Sequence, residues 1–147
     1  MALRDKLVDE MKAAMKARDD VRLSAIRMVR SSVKNREIDL GKELDDPEII
    51  QVIATLAKQR RESIKLFHEA GRSDLVLKEE KDLAVLLDFL PKQLSNDEIA
   101  EIVAKAIAES GAQGPRDMGK VMNIVMSQVS GRAEGEAVNQ IVRSMLS

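Results

Sequence analysis

Apolar residues recur at spacings of three and four along nearly the whole chain, and no stretch alternates apolar and polar residues with a period of two. In an α-helix these spacings place side chains on one face, whereas a half-buried strand needs the period of two. The pattern therefore predicts an all-α protein with seven helices. The apolar stripes of these helices begin at Leu3, Leu23, Ile49, Leu75, Ile99, Met118 and Val138.

The segment FLPKQLSNDE, residues 89–98, is the predicted domain boundary. Pro91 forces the residue before it out of helical geometry, and Ser95 with Glu98 forms a capping box that starts a new helix. The sequence thus predicts an N-terminal, hairpin-type helical domain over residues 1–93 and a three-helix tail domain over residues 94–147. Within the first domain, Asp46 is predicted to cap the third helix.

The composition limits the chemistry that the chain can perform. It has 147 residues, no Cys, a single His and a net charge of −1. The lack of Cys removes disulfides, thiolate zinc sites and cysteine nucleophiles, and His68 alone cannot make a usual structural zinc site. No metal or cofactor is predicted. Because the N-terminus has no apolar run of secretory or membrane-spanning length, the sequence predicts a cytoplasmic protein that does not enter a membrane.

The octet GPRDMGKV, residues 114–121, has the spacing of a nucleotide-binding loop. Its Gly114, Gly119 and Lys120 match that pattern, but Val121 replaces the hydroxyl residue that would hold magnesium. A nucleotide-binding loop also follows a strand, whereas a helix is predicted before this octet. We therefore interpret it as a joint between helices.

Two charged residues lie on apolar helix faces in the first domain. Arg60 falls in the middle of the apolar face of the third helix, and Glu79 lies likewise within that of the fourth. A lone buried charge is costly, so the two are predicted to meet as a buried or half-buried pair. The alternative is that Arg60 marks a polar pocket.

Basic stripes run beside the apolar faces of the second and third helices. They consist of Arg27, Arg30 and Lys34, and of Lys58, Arg61 and Lys65. Such stripes are typical of a solvated face with pairing inside the helix. No aromatic residues interleave with them, so any nucleic-acid contact would follow the backbone or the folded shape rather than stack on bases.

Four segments together resemble the YqeY family: KQRRESIKLFHEAGRSDL (58–75), FLPKQLS (89–95), DMGKVM (117–122) and GRAEGEAVNQIV (131–142). That family is similar to the C-terminal tail of the B subunit of the tRNA-dependent amidotransferases. In those enzymes the tail helps to hold the tRNA, while the kinase and amidase chemistry lies in other domains and subunits. The resemblance therefore implies an RNA-contacting or adaptor role.

The resemblance also assigns positions in the tail. The residues that it carries over are Gly119, Lys120, Met122, Gly131, Arg132, Ala133, Gly135 and Asn139. Two positions depart from the family pattern, since Glu134 stands where Asp is common and Glu136 where Lys is frequent. The first change weakens a helix cap, and the second reverses a charge near the proposed RNA surface.

Three hypotheses follow from these observations. The leading one is a non-catalytic module that binds tRNA through Lys120 and Arg132, joined by Arg116 and Arg143. The second is an adaptor that binds a synthetase or amidotransferase subunit through exposed parts of the N-terminal helices. The third is participation in glutamine-dependent carbon–nitrogen ligation, which the resemblance also implies but which has the weakest support from individual residues.

Overall fold

The computed structural model describes residues 2–147, and the described chain is all-α, without strands. Seven α-helices are present, which confirms the predicted fold class. A single 3-10 turn, Pro115–Asp117, precedes the sixth helix. The helices are α1 Leu3–Ala17, α2 Asp20–Leu40, α3 Asp46–Glu69, α4 Ser73–Asp88, α5 Asn96–Ser110, α6 Met118–Val129 and α7 Gly135–Leu146.

Capping side chains determine where α3 and α5 begin. The predicted box of Ser95 and Glu98 is confirmed at the start of α5. The predicted cap of α3 is wrong by one residue, because Asp45 has the extended backbone that a cap needs and its carboxylate accepts a hydrogen bond from the Glu48 N–H at 2.9 Å. Asp46 is already helical. Its carboxylate instead accepts a hydrogen bond from the N–H of Leu3, at 3.1 Å.

Packing divides the chain into two compact units, one ending at Pro91 and the other spanning Lys92–Ser147. In the first unit, α1 packs on α2 and α3 packs on α4, and the contact between α3 and α4 is the most extensive. The core of this unit is aliphatic except for Phe89. Its most deeply buried side chains are Ile26, Val29, Ile49, Ile53 and Leu86.

The second unit consists of α5, α6 and α7, each of which contacts the other two. Its core is built mainly from valines that come from all three helices. Those with no solvent exposure are Val103, Val121, Val125, Val129, Val138 and Val142. This unit therefore forms a packed core without an aromatic side chain, because short branched residues let the helices approach one another.

Glu37, near the end of α2, connects α1 to the loop before α3. Its carboxylate accepts a hydrogen bond from the Arg4 guanidinium and another from the Leu44 N–H at 2.8 Å. These two hydrogen bonds, that from Arg4 foremost, hold the pKa of Glu37 below its ordinary value of 4.5. The carboxylate therefore favours the folded state in its charged form.

We expect Glu37→Gln to reduce the loss of stability on acidification. Because the folded pKa is depressed, the stabilisation by Glu37 is fully present above about pH 4.5 and is lost as the pH falls through the folded pKa. Urea unfolding followed from about pH 7 to about pH 3 should show a steeper decline for the unmodified chain than for the variant. The exposed Glu80 provides the control, since Glu80→Gln should leave the decline unchanged. Parallel curves for all three proteins would contradict this expectation.

Candidate nucleic-acid interface

The octet that resembles a nucleotide-binding loop forms a joint between α5 and α6. α5 ends at Gly111, whose φ of 72° is left-handed, and a helix rather than a strand precedes the octet. The Gln113 N–H donates to the Asp117 carboxylate at 3.0 Å, which closes the turn on itself. The backbone therefore lacks the strand–loop–helix arrangement of a nucleotide-binding loop.

Lys120 lies in the first turn of α6 and contacts the end of α5. Its ammonium donates to the carbonyl oxygen of Ser110 at 3.0 Å, yet the residue stays exposed. A cation is favourable there, because unpaired carbonyl groups give the end of a helix a negative partial charge. Arg116, in the adjoining 3-10 turn, is also exposed and forms no ion pair within the described chain. Two accessible cations thus lie close together in sequence at this joint.

The loop between α6 and α7 is held by backbone groups. Gly131 has a φ of 76°, which favours glycine, and its carbonyl accepts a hydrogen bond from the Gln93 side-chain amide at 2.9 Å. The carbonyl of Arg132 accepts another from the Leu94 N–H at 2.8 Å. Part of the segment GRAEG therefore has a structural role, since it fixes this loop to the segment Gln93–Leu94 that leads into α5.

Arg132 lies at the opposite end of α6 from Lys120. α5 and α6 run antiparallel, because Lys120 contacts the end of α5 while Arg132 contacts the segment before its start. The 12 residues of α6 span about 18 Å at the usual rise. The pKa of Glu98 is lowered mainly by hydrogen bonds from Ser95 and in part by the charge of Arg132. The Arg132 cation is thus separate from the Lys120 joint.

The remaining predicted positions in the tail are dispersed over α6 and α7. A β-carbon at Gly119 would meet no atom within 4 Å, and one at Gly135 would meet only the Met126 methyl group, at 4.0 Å. Neither glycine is therefore required by close packing. Asn139 is half-buried in α7, and Arg143 is exposed in its last turn.

Arg60 and Glu79 lie opposite each other between α3 and α4. The Arg60 Nε is 3.5 Å from the Glu79 Oε2, and the two side chains are 17% and 15% exposed. These two atoms are buried and form no hydrogen bond of good geometry, while another guanidinium nitrogen of Arg60 donates to the Met28 sulfur. The cavity beside Arg60 is about 10 Å³, which is room for a single water at most.

Two concave surfaces larger than the cavity beside Arg60 also lie in the first unit. One of them, between α1 and α2, is lined by the basic stripe Arg27, Arg30 and Lys34 and by Arg4. The stripe by itself is typical of a solvated face, because Arg4 is distant in the sequence and only the packing of α1 on α2 brings it near. The spacing of the three cations on α2 was the signal present in the sequence.

Residues 2–147 contain no cluster of His, Cys, Asp and Glu side chains arranged to hold a metal ion. Among the helices described, none combines the length and the apolar character needed to cross a bilayer.

The fold and these surfaces define a small all-α module with accessible cations at its helix joints. A family model described as "Yqey-like protein" matches residues 4–146. The chain therefore belongs to the YqeY family, as the resemblance of its segments indicated.

Similar curated proteins come from fungi and are named "Altered inheritance of mitochondria protein 41, mitochondrial". The one from Lachancea thermotolerans is 41% identical over 100 residues, which cover 67% of this chain and 53% of that protein. The one from Kluyveromyces lactis is 40% identical over 84 residues, 56% of this chain and 45% of that protein. This chain thus spans about half the length of these relatives. The protein from Pyrenophora tritici-repentis is 30% identical over 144 residues, covering 96% of this chain and 79% of its own length.

The prediction of a cytoplasmic protein is contradicted by these relatives, whose names describe mitochondrial proteins. That prediction depended on the lack of a long apolar run near the N-terminus. This observation does not separate the cytoplasm from the interior of an organelle, because the segments that direct proteins into mitochondria are amphipathic rather than long and apolar.

Proposed function

We propose that this chain is a non-catalytic, tRNA-associated module that contacts the RNA backbone with the cations at the joint between α5 and α6. The single observation that carries the proposal is the placement of Lys120. Its ammonium is held by the Ser110 carbonyl at 3.0 Å and remains exposed. Because an ammonium group has more than one N–H donor, a held lysine keeps donors free for a phosphate oxygen and loses little side-chain entropy on binding.

The proposed contact follows the shape and the phosphates of the RNA. The segment from Lys92 to Ser147 contains no Phe, Tyr or Trp on which a base could stack. With a net charge of −1, the whole chain has no general attraction for polyanions, so binding depends on local cations. Membership of the YqeY family, which resembles the tRNA-holding tail of the amidotransferase B subunit, supports tRNA as the partner.

The test is binding of bulk tRNA by the full chain at low ionic strength. We expect Arg116→Gln with Lys120→Gln to weaken binding about tenfold and to reduce the slope of log affinity against log salt by about 2, because two phosphate contacts are removed. Fluorescence anisotropy over a salt series measures both quantities.

Lys105 supplies the control for this test. It is 76% exposed on α5 and pairs only with Glu109, at 4.0 Å. Lys105→Gln should leave tRNA affinity unchanged, and the urea midpoints of all the variants should agree. The proposal fails if the chain does not bind tRNA at low salt, or if Lys105→Gln weakens binding as much as the pair at the joint.

An adaptor function is the second candidate, favoured by the apolar side chains that α3 and α4 expose. Leu66 is 65% exposed and Leu77 is 53% exposed. Exposed leucines of this kind suit contact with another protein, such as a synthetase or amidotransferase subunit. Leu66→Ser with Leu77→Ser should abolish nuclease-resistant co-purification with such a subunit, whereas the glutamine variants at the α5–α6 joint should not.

A further inference from the structure

The groove between α1 and α2 is lined by four basic side chains, those of Arg4, Arg27, Arg30 and Lys34. Its volume is about 670 Å³. The floor is apolar and includes Leu7, Val33 and Ile49, each buried in the core of the first unit. Exposed Arg27, Arg30 and Lys34 line the α2 side of the groove.

The charges in this groove are only partly compensated. Arg4 and Glu37 pair with each other, and the second carboxylate in the lining is that of Asp5. Arg30 donates to the sulfur of Met11 at 3.2 Å, which is a neutral and weak acceptor and leaves the guanidinium charge in place. Arg27 and Lys34 have neither a hydrogen bond nor an ion pair within residues 2–147, so their charges are available to a ligand.

The spacing of these cations matches a linear polyanion. Residues 27, 30 and 34 lie at helical spacing along one face, and their seven-residue span is about 10 Å long. A polynucleotide strand that follows this face can therefore place more than one phosphate against the three cations. The exposed hydroxyl of Ser31, which lies between Arg27 and Lys34 in the lining, adds a donor suited to a phosphate oxygen.

We propose that this groove binds the phosphate backbone of a single RNA strand, at a site separate from the joint between α5 and α6. A flat, anionic membrane surface would meet the exposed ends of the cations but would not follow the groove between the two helices. A strand of RNA is narrow enough to lie along a groove between two helices. Because no Tyr or Trp occurs in the chain, contact with the backbone accounts for binding without stacking on bases.

The chain provides two matched pairs of cations for the test. Arg27 and Lys34 are exposed on α2 and seven residues apart, and so are Lys58 and Lys65 on α3. Substitution of either pair with glutamine removes the same charge at the same spacing. Since neither Arg27 nor Lys34 has a partner within the described chain, Arg27→Gln with Lys34→Gln should leave the urea midpoint unchanged.

The experiment measures anisotropy of a short, fluorescein-labelled single-stranded RNA of mixed sequence with the full chain. We expect Arg27→Gln with Lys34→Gln to weaken binding about tenfold and to reduce the salt slope by about 1 to 2. Lys58→Gln with Lys65→Gln should change neither quantity. Polyglutamate should compete poorly with the RNA, and vesicles of phosphatidylserine and phosphatidylcholine should not bind the chain through this pair.

Three results would overturn the proposal. The first is unchanged RNA affinity in the α2 variant, and the second is an equal loss in the α3 variant, which would indicate a diffuse charge effect. The third is a larger effect of Arg27→Gln with Lys34→Gln on vesicle or polyglutamate binding than on RNA binding. This test is independent of the test of the α5–α6 joint. The substitutions at Arg116 and Lys120 lie in the other compact unit, and their effect is measured with tRNA.

Discussion

Glu79→Ala is expected to lower the free energy of unfolding by about 2 to 3 kcal/mol, because it leaves the Arg60 guanidinium largely buried without its counter-charge. This loss is at or below the usual cost of breaking a buried ion pair, since the side chains of Arg60 and Glu79 remain 17% and 15% exposed. The remaining contact of Arg60, with the sulfur of Met28, does not neutralise its charge. Urea unfolding monitored by far-UV circular dichroism gives the difference directly.

A double substitution distinguishes a charge effect from simple loss of packing. Arg60→Met with Glu79→Leu removes both charges and keeps apolar volume between α3 and α4, so we expect stability near that of the unmodified chain. Glu80 is the neighbouring control, because it is exposed on the same helix. If Glu79→Ala costs no more than Glu80→Ala, the ion pair does not stabilise the contact between α3 and α4.

The proximity of Arg60 and Glu79 follows from a local signal in the sequence. A charge at a position that otherwise belongs to an apolar stripe is rare, because burying it alone is costly. Two such charges on consecutive helices are therefore predicted to pair, since consecutive antiparallel helices bring their apolar faces together. The structure places the Arg60 Nε and the Glu79 Oε2 3.5 Å apart.

The start of α3 depends on a contact that is distant in the sequence. Asp45 and Asp46 have the same side chain and both come shortly before Pro47, so the sequence does not distinguish which of them caps the helix. The structure uses both. Asp45 caps α3, while Asp46 accepts a hydrogen bond from Leu3, which is 43 residues away. A long-range partner of this kind leaves no trace in the local pattern.

The basic surfaces depend on tertiary placement even more strongly. Lys120 and Arg132 flank α6, and only the antiparallel packing of α5 and α6 shows that they lie at opposite ends. In the first unit, Arg4 joins the stripe that contains Arg27 and Lys34 because α1 packs on α2. Helical periodicity identifies which residues face outward, but concavity arises from how two helices meet.

Ile53→Ala is expected to have the largest effect on stability, a loss of about 3 to 4 kcal/mol in the free energy of unfolding. Ile53 has no solvent exposure and lies in α3 within the core of the first unit. Phe89 is the single aromatic side chain in that buried core, so stability there depends on many close aliphatic contacts. Removal of the larger part of one such side chain leaves a cavity that the rigid helices cannot close. Urea unfolding measures the loss.

A graded series tests whether the cavity is the cause of this loss. Ile53→Val removes a single methyl group and should cost about 1 kcal/mol, while Leu66→Ala should cost less than either substitution at Ile53 because Leu66 is 65% exposed. A cost at Ile53 no greater than that at Leu66 would show that the helices relax into the vacated space, and that α3 is not rigidly held at this point.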